Sequence, residues 1–164
     1  MTTTGITNIE QKDNQLILSR VFDAPKELVF SMFTGDHIAK WWGPTHWPVK
    51  VSHMDFRPGG EWHYCMVGPD GEEAWGKALY DEIDEPNKII YRDVFSDKEG
   101  NVDTSLPQGR VEILFEDEDG KTKLTTRGTY ESADAVNKLV EMGMLEGIKD
   151  TWEQLDDLLH KAQQ

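Results

Sequence analysis

MLEGIKDTWEQLDDLLHK, Met144 to Lys161, is the stretch that decides the fold of this chain. Met144, Ile148, Trp152, Leu155 and Leu159 recur at helical spacing and form one apolar stripe, flanked by Leu145, Thr151 and Leu158. Asp150, Glu153 and Asp157 occupy the opposite side. A helix built this way must lay its single apolar face on another layer. Upstream, Ser132 is suited to cap a helix, and Asp134 would sit favourably in its first turn. No proline interrupts the chain from there to Lys161. Leu139 and Met142 lie off the stripe, and Gly143 and Gly147 interrupt it, so the pattern predicts one long helix bent near Gly143. At 1.5 Å per residue it would reach roughly 45 Å.

The segments before it read as the layer it covers. Gln15 to Phe22 predicts a strand with Leu16, Leu18 and Phe22 on one side and Arg20 among them. Asp23-Ala24-Pro25 predicts a helix start, with Asp23 or Ala24 at the cap, and Lys26 to Phe33 a short amphipathic helix. Gly35 ends it, and Asp36 is placed to cap a second short helix that Gly43-Pro44 stops. From Trp47 the period changes to two. Strands are predicted at Val49 to Phe56, Glu61 to Val67, Ala74 to Ile83, Lys88 to Phe95, Arg110 to Glu116 and Lys121 to Tyr130. Arg57-Pro58-Gly59-Gly60 predicts a bulge or tight turn with both glycines in angles that other residues avoid. Strands joined by such short turns are antiparallel neighbours. The fold class is therefore α+β, a curved antiparallel sheet gripping a long C-terminal helix, with two short helices after the first strand. A straight helix should touch such a sheet at its ends and stand off in the middle, leaving a cavity. The domain division predicted is a polar N-terminal segment over 1–14 and one domain over 15–161.

Composition narrows the function. The 164 residues include 31 Asp+Glu against 17 Lys+Arg, for a formal net charge of −14. A field of that sign repels nucleic acid and anionic lipid, so neither is expected as a partner. No apolar run approaches the roughly 18 residues that would span a bilayer. The first fifteen residues lack a basic-then-apolar signal pattern, and the single cysteine, Cys65, has no internal partner. The expectation is a cytoplasmic protein.

An ordered set of residues carries a resemblance. Phe22-Asp23-Ala24-Pro25 before Leu28-Val29-Phe30, then Trp41-Trp42-Gly43-Pro44, then Asp55-Phe56-Arg57-Pro58-Gly59-Gly60, resembles the family named for the activator of the ninety-kilodalton heat-shock chaperone ATPase. Gly76 before Ala78, Pro86, and the stretch Glu141 to Gly147 fit the same pattern. The family lies in the START and Bet v 1-like helix-grip superfamily (SRPBCC). The resemblance implies a hydrophobic pocket beneath the long helix and a small hydrophobic molecule or lipid as partner. It also carries two alternatives, a polyketide cyclase- or hydratase-like enzyme and a chaperone-interaction module. Within these 164 residues no separate N-terminal docking domain of the kind the full-length chaperone activators carry is expected, which weighs against chaperone activation. A homodimer stays open.

Five histidines invite a metal hypothesis, yet no pair stands at helical i,i+4 spacing and there is no His-x-His or Cys-x-x-Cys, so no metal and no cofactor are expected. Cys65 alternates with Trp62, Tyr64 and Met66 and reads as a small apolar filler rather than a nucleophile. No catalytic residue is assigned. The aromatics are the informative set, because Trp and Tyr pair a large apolar body with one donor. The predicted pocket residues are Phe33, Trp41, Trp42, Trp62, Tyr64, Tyr91, Phe95 and, from the helix, Met144, Ile148 and Trp152. His53, Tyr64, Tyr91 and Asp93 would supply the polar contacts. Asp93 shares a strand face with Ile89, Tyr91 and Phe95. If that face lines the pocket, its carboxyl is buried and its pKa raised. The simpler expectation is an Asp93 paired with an arginine of a neighbouring strand or facing water at the rim.

Overall fold

A computed structural model describes residues 5–164. Eight antiparallel strands form one curved sheet. They are β1 (Asn8–Lys12), β2 (Gln15–Phe22), β3 (Val49–Met54), β4 (Glu61–Val67), β5 (Glu73–Asp84), β6 (Lys88–Phe95), β7 (Gly109–Glu118) and β8 (Lys121–Tyr130). Their order across the sheet is β1-β2-β8-β7-β6-β5-β4-β3. Strands β3 to β8 are a meander, as the turn signals require, and β2 closes against the far end of it by pairing Leu18 with Thr126. Bulges in β3, between Val49 and Val51, and in β5, between Tyr80 and Glu82, add twist to one side of the sheet.

The segment read as a polar leader carries a strand. Asn8 to Lys12 pairs along β2, and Gln11 donates to the Asn137 side chain at 2.8 Å. Only Ile9 of its residues is partly buried, so the sequence held no alternating apolar signal to find. Residues 1–4 of that leader lie outside the described residues.

Helix α1 (Lys26–Ser31) follows β2, with Pro25 at its cap position and no side-chain cap. A 3₁₀ turn follows over Gly35–Lys40, in which Asp36 sits in the first turn and Thr34, not Asp36, takes the cap position. These pieces close one end of the sheet. Phe30 and Phe33 meet Phe115 at ring distances of 5.0 and 5.3 Å, and Phe33 meets Trp41 at 4.9 Å. Gly59 has φ +84°, whereas Gly60 has no left-handed angle; a Cβ on it would stand 2.1 Å from the Asp55 carbonyl oxygen. One glycine of that pair is set by its angle and the other by close approach.

The C-terminal region is two helices, not one bent helix. Helix α2 (Ala133–Glu141) is capped by Ser132, whose Oγ accepts from the Ala135 N–H at 3.1 Å. Helix α3 (Met144–Ala162) starts after Gly143, which has φ +91°. A residue in the left-handed region ends the hydrogen-bond ladder instead of curving it, and glycine reaches that region without a Cβ clash. Helix α3 is then fastened along its length. Asp150 accepts from the Thr45 N–H and hydroxyl, both at 2.7 Å, and Gln154 donates to the Gly43 carbonyl at 2.8 Å. Asp156 pairs with the buried Arg20 of β2. Trp152 is 5% exposed and meets Phe22 edge-on at 5.9 Å, as a helix docked on the sheet requires.

Candidate functional site

Between the concave face of the sheet and the α2–α3 junction lies a cavity of about 350 Å³. Ligand pockets run from roughly 300 to 1,000 Å³, so it is large enough for a small molecule. Its floor comes from the middle of the sheet, through Tyr91, Asp93 and Phe95 of β6, Val111 and Ile113 of β7, and Thr126, Gly128 and Tyr130 of β8. Leu16 and Leu18 of β2 and Tyr64 and Met66 of β4 form two sides. Met144, Ile148, Thr151 and Trp152 of α3 form the roof. Met142, 54% exposed, stands on the rim beside Gly143.

The sequence-derived residues divide here. Phe33, Trp42, Tyr64, Tyr91, Asp93, Phe95, Met144, Ile148 and Trp152 line the cavity together. Trp41, Trp62 and His53 do not. Trp41 is fully buried behind Trp42, and its N–H donates to the Met32 carbonyl at 2.8 Å, which makes it a core residue. Trp62 stands one layer back, stacked on Tyr64 at 4.1 Å with its N–H bound to Ser52. His53 is exposed on the outer face of β3, opposite His63, because strand alternation turns it away from Ser52 and Met54. It offers nothing to a ligand in this cavity.

Asp93 also corrects an expectation. It does not pair with an arginine; it is partly buried and faces the cavity. Arg92 alternates to the outer face, where its nearest carboxylate is Asp81 at 4.0 Å. Among the described residues no side chain or backbone group hydrogen-bonds to the Asp93 carboxylate. Its neighbours in register on the flanking strands are Ala78 of β5 and Gly109 of β7, which are too small to reach it. Burial alone pushes its pKa up to about 7. The same burial, followed by the nearby Asp93 charge, holds the Tyr64 and Tyr91 hydroxyls well above the usual tyrosine range. Tyr130 is raised for the same two reasons. These hydroxyls stay protonated and can donate.

Tyr130 escaped sequence reasoning, although a signal existed. A Cβ at Gly109 would stand 2.3 Å from the Tyr130 ring, and one at Gly128 would stand 2.8 Å from its hydroxyl oxygen. Two strand glycines facing one aromatic mark a ring lying flat across the sheet. Leu16, Leu18, Val111 and Ile113 were readable only as core, because core and pocket walls share composition.

A long helix gripped by a curved antiparallel sheet, with a cavity between them, is the helix-grip arrangement of the START and Bet v 1-like class. Within it, the chain belongs to the Activator of Hsp90 ATPase homolog 1-like protein family, which it matches over residues 23–160. Solved structures agree. Protein Ms6760 from Mycobacterium smegmatis is 34% identical with a TM-score of 0.86, covering 93% of this chain and 96% of that one. A protein from Arthrobacter aurescens is 29% identical with a TM-score of 0.88, covering 94% and 91%. A third, from Staphylococcus epidermidis, is 32% identical with a TM-score of 0.81, covering 94% of each chain. No curated protein matches.

Proposed function

We propose that this protein binds a small hydrophobic or aromatic molecule, non-covalently, in the cavity between the sheet and α3. The observation that carries the reading is the cavity itself, about 350 Å³ and walled by Trp42, Tyr64, Tyr91, Phe95 and Trp152. Burial of apolar ligand surface would supply most of the affinity, at roughly 25 cal/mol per Å² before the costs of association. Met142 and Met144 at the rim and roof are unbranched and adapt to ligands of different outline. The cyclase- or hydratase-like alternative would use a pocket carboxylate or histidine as general acid–base; Asp93 lines the cavity, but none of the five histidines does, so no histidine–carboxylate pair stands there. That favours binding over catalysis.

The test is native mass spectrometry of the purified protein, followed by a thermal-shift and tryptophan-fluorescence screen of hydrophobic ring compounds. A co-purified small molecule, or hits that raise the melting temperature and alter tryptophan emission, is the expected result. A ligand at a hundred times its Kd stabilises the fold by about 2.7 kcal/mol. No co-purified molecule and no hit across the panel would overturn the reading.

A further inference from the structure

The cavity has one charged side chain. Among the described residues that line it there is no lysine, arginine or histidine, and Asp93 stands alone among apolar and aromatic groups. A buried carboxylate is normally hydrogen-bonded or paired. This one is partly buried, lines the cavity and has no hydrogen-bond or ion-pair partner among the described residues. We propose that the cavity selects an amphipathic amine, with its ring-bearing apolar body among the aromatics and its protonated nitrogen on the Asp93 carboxylate. This rests on the cavity being a ligand site.

Three observations favour the amine over the acids that an apolar pocket otherwise invites. A fatty or aromatic carboxylate would enter a site with no positive group to receive it and a like charge already present, and burying it would be costly. A cation gains instead from the negative faces of tyrosine and tryptophan rings, and Tyr64, Tyr91, Tyr130 and Trp42 supply them around the floor. Finally, the net charge of −14 draws cations toward the protein and repels anions. The tyrosine hydroxyls do not compete, since they are neutral and Asp93 accepts from none of them.

Three probes with one apolar body test the selection: naphthylmethylamine, naphthalenemethanol and naphthoate. Calorimetry on the full chain should show the amine binding about tenfold or more tighter than the alcohol, with naphthoate weakest. Asp93→Asn should abolish the amine's advantage over the alcohol, while 1-methylnaphthalene, which has no polar group to meet residue 93, still binds and shows the variant's cavity to be intact; an amine advantage that persists in this variant would overturn the selection. Between about pH 6 and pH 8 the amine's affinity should climb as Asp93 ionises, while the alcohol's should not. The other titratable groups near Asp93 are Tyr64 of β4, Tyr80 of β5, Tyr91 of β6 and Tyr130 of β8, all neutral in that range, and α2 and α3 place no charged side chain in the cavity. Equal affinities for amine and alcohol, or a preference for naphthoate, would overturn the amine selection and leave ligand binding standing. So would silence from all three probes while other neutral ring compounds bind. If nothing binds at all, both readings fall.

Discussion

The C-terminal half of α3 closes on the sheet, whereas its first turns roof a hollow. At the closed end Leu155 and Leu159 are buried in the same core cluster as Phe22 and Leu124, and Asp156 pairs with Arg20. At the open end Met144 and Ile148 line the cavity across from Thr126, Gly128 and Tyr130. The helix carries the same apolar stripe throughout, so the difference lies in the sheet. Strand β8 runs from Leu124 to Thr126 to Gly128 on one face, and β2 from Phe22 to Leu18 to Leu16. On β8 the floor falls from Leu124 through Thr126 to Gly128, where only the flat Tyr130 ring covers the backbone, and one helix cannot follow the change. The gap therefore falls under the first half of α3 and the α2–α3 break, not under the middle of a single long helix.

The contrast can be broken by mutation. Trp152 stands where the two ends meet, touching Phe22 on one side and the cavity on the other. Trp152→Ala should have the largest effect, a loss of about 3–5 kcal/mol in chemical denaturation. An unchanged denaturation midpoint would mean that the closed end does not depend on this contact.

Next comes the charge that the open end tolerates. Asp93 has a folded pKa of about 7, raised by burial above the ordinary carboxyl value. The folded state therefore binds its proton more tightly than the unfolded chain. The stabilisation from that proton is complete below about pH 4 and is lost as pH rises through 7. Across that window Asp93 should lower stability by about 2–4 kcal/mol. Asp93→Asn should remove this slope and be more stable than the parent at pH 8. Denaturation of both proteins at several pH values checks it, and parallel curves would contradict it.

The smallest effect belongs to the roof. Ile148 faces space rather than close-packed atoms, so Ile148→Ala should cost only about 1 kcal/mol, below the usual range for burial in a full core. A loss as large as that of Trp152→Ala would show the cavity to be closed in solution.

Much of this fold was legible before any coordinates. The turn residues between β3 and β8 announce a meander, and the stripe from Met144 to Leu159 announces its cover. Tyr64 on β4 and Tyr91 and Phe95 on β6 reached the cavity because strand parity is a local property. Three kinds of feature were not local. Strand β1 has no apolar pattern of its own and exists because β2 offers it an edge. Trp41 and Trp42 are adjacent and chemically alike, yet one is core and the other wall, which depends on what packs behind them. The lack of a partner for Asp93 follows from Ala78 and Gly109 meeting it in register, a fact about strand pairing.

The sequence by itself determined which segments are strands or helices, which faces are apolar, and that one amphipathic helix must cover one sheet. Those follow from side-chain period and turn chemistry, which neighbours in the chain set. Tertiary structure alone decided where the cover fails to touch, that Tyr130 lies across two glycines, and that Asp93 lines the cavity with no cationic side chain beside it among the described lining residues. Those depend on side chains brought together from distant strands, and no period in the sequence encodes the space left between them.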